Sequence, residues 1–154
     1  MPLNDLIQLH FTPAEIAAVD AALTQIENIL APKCRNLTPE ERVQYGSINE
    51  QHKLLVNKVR DYRLTQPNMS APDVNWTEYE ADYQDRFFLD TRSMRIRTVL
   101  EMMEDTKILH DYDNYQNALL DHRYTRYKAE TEAGGGYSTK YQEMKQFFPN
   151  SNGA

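Results

Sequence analysis

The sequence predicts an all-α protein, an antiparallel four-helix bundle with a short additional C-terminal helix. Three observations point there. Apolar residues recur at three- and four-residue steps over long stretches. Two nearly identical segments, Thr12-Pro13-Ala14-Glu15 and Thr38-Pro39-Glu40-Glu41, carry the signature of a helix start: Thr as cap, Pro at the first position where no amide hydrogen is required, and Glu reaching back to the cap amide. No alternating apolar and polar stretch stands outside these patterns, since runs with strand propensity such as Lys53 to Val59 lie inside longer helical periods.

The first helix follows from Ile16, Val19, Leu23, Ile26 and Leu30, which share one side, and Pro32 stops it. Phe11 before its cap pairs with Ile16 as a hydrophobic staple; at the second cap, Leu37 faces only the aliphatic stem of Arg42. A second helix runs from Pro39 through Tyr45, Ile48, His52, Leu55, Val59 and Tyr62, ending before Pro67. The connector from Thr65 to Asp73 holds two prolines among short polar residues.

Thr77 with Glu80 marks the third start, and the seam continues through Leu89, Arg92, Ile96, Val99, Met103, Thr106 and His110. That helix would cover about 33 residues, or roughly 50 Å, against about 28 Å for the first. The mismatch predicts a kink, or an excess covered by the C-terminal segment or a second subunit. Two Asp residues in His110-Asp111-Tyr112-Asp113-Asn114 offer caps and place a reversal here, although one helix through the segment is the alternative. The fourth helix carries Tyr112, Tyr115, Leu119, His122 and Arg126 at helical spacing. Gly134-Gly135-Gly136 ends it, and Ser138 is the expected cap of a last helix anchored by Phe147 and Phe148.

A chain of 154 residues and 18.0 kDa suits one domain, read as residues 1–148 with a polar tail at 149–154. The formal charge of -6 gives no global attraction for nucleic acid or anionic lipid. No apolar run approaches the roughly 20 residues needed to span a bilayer. The sequence start lacks the basic and apolar run of a signal peptide, and the single Cys34 excludes an intrachain disulfide framework. The expectation is a soluble, cytoplasmic protein without membrane insertion.

Bundle cores hold carboxylate-bridged metals through Glu-x-x-His pairs. Here the residues three before His10, His52, His110 and His122 are Ile7, Asn49, Lys107 and Leu119, so the motif is missing. His52, His122, Glu101, Glu104 and Asp105 remain the candidate ligands of an alternative reading, a metal-dependent enzyme with its site inside the bundle. Cys34 has basic neighbours but no local Cys-His motif, and the glycine triplet lacks the Lys-Ser/Thr ending of a phosphate loop. No cofactor is expected.

A second alternative is phosphate or nucleic-acid binding. Arg92 and Arg95, then Arg123 and Arg126 beside Tyr124 and Tyr127, combine cations with stacking rings, but many Asp and Glu residues at helical spacing blunt that charge. Arg92 on the third seam would need acceptors if buried. Ten Tyr, five Phe and one Trp favour a protein interface, because Tyr joins apolar area to a polar handle. The leading reading is therefore a noncatalytic interaction or assembly module with a protein partner or a second copy of itself. Trp76, Tyr79, Tyr83, Tyr112 and Tyr115 join the Arg and Tyr residues above as interaction candidates, the acidic Trp76-to-Tyr83 stretch suiting a basic partner.

Overall fold

The computed structural model describes residues 4–132 and 134–148. It is all-α, with α1 (Pro13–Leu30), α2 (Pro39–Tyr45), α3 (Glu50–Thr65), a 3-10 turn (Pro67–Met69), α4 (Trp76–Thr131) and α5 (Tyr137–Lys145), and no strand among the described residues. Five helices with a short one last are consistent with the expected bundle. The polar tail at 149–154 lies outside the described residues.

Both Thr-Pro signatures form complete capping boxes. Thr12 Oγ1 accepts from the Glu15 amide at 3.2 Å while Glu15 accepts from the Thr12 amide at 2.8 Å, and Thr38 and Glu41 repeat this at 3.2 and 2.9 Å. Each box satisfies two amides that the helix itself leaves without acceptors. The expected staple residues Phe11 and Ile16 both remain more than half exposed.

Four boundaries depart from the expectation. The second helix divides into α2 and α3 at Gly46, where a side-chain carbon would lie 2.3 Å from the Arg42 carbonyl oxygen, an approach only glycine permits. Asn49 then caps α3 by accepting from the His52 amide at 3.0 Å. At the start of α4, Asn75 rather than Thr77 provides the cap, accepting from the Glu78 amide at 3.1 Å. No reversal occurs at residues 110–114: α4 continues for 56 residues, and the Asp113 carboxylate is committed to amides outside the helix instead of capping a new one. Finally, α5 begins at Tyr137, so Ser138 lies inside it; Gly134, Gly135 and Gly136, with φ of +107°, +93° and +80°, turn the chain through conformations that disfavour a side chain.

The chain divides into two compact units. One comprises residues 10–95, holding α1, α2, α3 and the first part of α4. The other joins the segment before His10 to the chain from Ile96 onward. Among the described residues only Asp113 and Thr125 are buried, and no apolar side chain is. No helix among them is long and apolar enough to cross a membrane.

Candidate interaction surfaces

In the unit of residues 10–95, α3 is fastened to the first turns of α4 by polar contacts. Arg60 donates through Nε and Nη2 to the two carboxylate oxygens of Glu80 at 2.8 and 2.7 Å, a planar two-point match. Gln84 adds a third bond at 2.8 Å. The Arg60 bonds, with Gln84 assisting, hold the Glu80 carboxyl down to about 2. Arg60 also lies 4.4 Å over the Tyr83 ring, and Arg63 5.1 Å over Trp76. Tyr79 donates its hydroxyl to the Val56 carbonyl at 2.8 Å, and burial pushes that hydroxyl above its ordinary pKa.

Trp76, Tyr79 and Tyr83 are thus half-buried residues that α4 turns toward α3, a consequence of their three- and four-residue spacing. Trp76 closes the connector by donating from Nε1 to the Ala71 carbonyl at 2.9 Å. Farther along α4, Arg92 and Arg95 are exposed. The condition under which Arg92 would need a buried partner does not arise: its guanidinium lies 5.1 Å over Phe88 and donates to Thr91 Oγ1 at 2.9 Å.

In the other unit, Asp113 is the organising residue. It is 8% exposed, and its two carboxylate oxygens accept from the consecutive amides of Leu6 and Ile7 at 2.9 and 3.1 Å, pinning the N-terminal segment as a strap along α4. One turn on, Asn117 donates to Asp5 at 3.4 Å and to the Asp113 carbonyl at 3.0 Å. By sequence alone Asp113 is only a possible cap. The available signal was the seam itself, which runs on from Thr106 and His110 to Asp113 and Asn117 without a change of step.

Near its end α4 is covered by α5. His122 lies 4.3 Å from Phe148 and 5.6 Å from Tyr141, and Lys140 pairs with Asp121 at 2.7 Å. Of the two terminal phenylalanines, Phe148 packs here while Phe147 stays exposed. Tyr137 approaches Tyr124 edge-on, and the neighbouring Tyr124 hydroxyl raises the Tyr137 hydroxyl pKa. Thr125 is fully buried, and neither its hydroxyl nor His122 Nε2 has a hydrogen-bond partner among the described residues. Thr91, Thr106 and Thr131 instead donate back to the carbonyl four residues earlier at 2.8 to 2.9 Å, the ordinary outlet for a helical threonine.

Tyr112, Tyr115, Tyr124 and Tyr127 are half or more exposed, and Arg123 is exposed beside them. Arg126 pairs with Glu130 at 3.1 Å, and Lys128 with Glu132, so two of the local cations have acidic partners one turn away. Glu101, Glu104 and Asp105 are separated from His122 by at least 17 positions of one helix, about 25 Å, while His52 is an exposed residue of α3. Among the described residues no group of three or more His, Cys, Asp or Glu is placed to hold a metal ion. Cys34 is exposed. Comparison of the chain with protein-family models, curated proteins and solved structures finds no match.

The remaining feature of both units is open apolar surface. On α1, Ile16, Val19, Leu23 and Ile26 are 41–52% exposed. On α4 beyond residue 95, Ile96, Val99, Leu100 and Met103 are 50–52% exposed. Isolated exposed apolar residues are ordinary; these instead recur at helical spacing and form stripes left half open along α1 and α4.

Proposed function

We propose that this chain is a noncatalytic assembly module whose helices are completed by association with another protein chain, in the first instance a second copy. The observation that carries the reading is the half-open apolar stripe on α1 together with its counterpart on α4. Ordering a residue costs about 1–2 kcal/mol of backbone entropy, and burial of apolar area at roughly 25 cal/mol per Å² is the main offset. Residues that leave half their apolar surface in water realise only part of that offset, and association supplies the rest. The exposed tyrosines of α4 support the same reading, since their rings bring contact area with few rotatable bonds.

Native mass spectrometry of the untagged protein, with sedimentation equilibrium over a hundredfold concentration range, tests this. A discrete oligomer whose melting temperature rises with concentration is expected. A monodisperse monomer with concentration-independent unfolding refutes it.

A further inference from the structure

We propose that the acid-flanked apolar stripe of α1 docks on the Arg92 and Arg95 face of α4 in a second copy of the chain, the two copies exchanging this contact reciprocally. The inference rests on the assembly reading above and names its surfaces. Helix α1 contains Glu15, Asp20 and Glu27 but no Lys or Arg. At about 100° per residue, its apolar stripe occupies an arc of about 80°, with Asp20 and Glu27 on one flank and Glu15 on the other. Glu15 is committed to the capping box, whereas Asp20 and Glu27 are exposed and have no ion-pair partner among the described residues.

The facing surface carries the opposite arrangement. Phe88, Leu89, Arg92 and Arg95 fall on one side of α4, the two apolar residues 43–44% exposed and the two arginines without a carboxylate partner among the described residues. Between residues 88 and 95 this side of α4 thus offers half-open apolar groups and two cations without a carboxylate partner, the exposed Asp85 lying on the same side one turn before Phe88, while the α1 stripe offers the matching anions. Both belong to the unit of residues 10–95, yet within one copy both stand open. A two-fold axis answers this directly: α1 of each copy covers α4 of the other, so neither of these two contact surfaces is left unmatched.

The test uses two full-length charge-reversed variants, D20K/E27K and R92E/R95E, distinguished by isotope mass. All four positions are exposed, and circular dichroism of each variant checks that helicity is retained. Either variant alone places like charges at both contacts and should raise the dimer Kd at least tenfold. Their mixture restores both contacts and should yield a heterodimer of near wild-type affinity, as should a homodimer of the fourfold variant. A wild-type monomer overturns the assembly reading and this contact together. A wild-type oligomer indifferent to both reversals overturns this contact alone. Recovery in the fourfold variant without recovery in the mixture assigns the pairing to one chain and likewise overturns the exchange.

Discussion

Asp113→Ala should release the N-terminal strap. Two backbone amides, Leu6 and Ile7, converge on one buried carboxylate at 2.9 and 3.1 Å, so the substitution removes two charge-assisted hydrogen bonds at once. Bonds of this kind contribute about 1.5–3 kcal/mol each, and breaking one is worst when its partner stays buried. Here the strap amides can return to water and the segment regains conformational freedom, which partly offsets the loss. A net effect of about 2–3 kcal/mol follows, or roughly a 30- to 150-fold shift toward the undocked strap. Asp113→Asn should be nearly as severe, because its NH₂ group would confront one of the two amide hydrogens. Hydrogen exchange at Leu6 and Ile7 reads the outcome directly: both amides should lose protection by that factor while the middle of α4 keeps its own. Exchange unchanged within twofold in both variants would refute the assignment of Asp113 as the strap anchor.

Thr125→Val replaces a buried, unpartnered hydroxyl by a methyl of similar shape and should be neutral or stabilising by up to about 1 kcal/mol, a rise of about 2–4 °C in melting temperature; a clear loss would mean that the hydroxyl has a partner. Gly135→Ala forces a side chain onto φ +93° and should cost about 1–2 kcal/mol, visible as weakened contact of Phe148 with His122 in NMR spectra. The Glu80 carboxyl is held at about 2 against an ordinary 4.5, a depressed value, so its ion pair contributes in full above pH 4.5 and is lost as pH falls through about 2. The carbon shift of Glu80 should titrate with that low midpoint, and a midpoint near 4.5 would count against the Arg60 fork.

Much of the local structure was legible because its causes are local. Thr12 and Thr38 cap helices whose amides lie three residues away, and both boxes form as read. The division at Gly46 was signalled by the residue itself and by Asn49, but an unbroken apolar period through Tyr45 and Ile48 masked it. The reversal placed at residues 110–114 rested on Asp caps, and an Asp caps a helix only when its carboxylate is not engaged elsewhere. Residues 6 and 7, more than a hundred positions distant, engage it. Likewise Trp76, Tyr79 and Tyr83 stand out by type as candidates for contact with a partner, whereas their contact with α3 depends on where Arg60, Arg63 and Val56 come to lie.

Periodicity, capping and glycine placement alone determined the all-α class, the start of α1 and α2, the end of α4 before the glycine triplet and the amphipathic faces, since each follows from interactions within about one or two helical turns. Tertiary structure alone decided the commitment of Asp113 to the strap, the pairing of Arg60 with Glu80, the burial of Thr125 and the stripes left half open. Those outcomes depend on which distant group reaches a side chain first, and spacing along one helix carries no record of that.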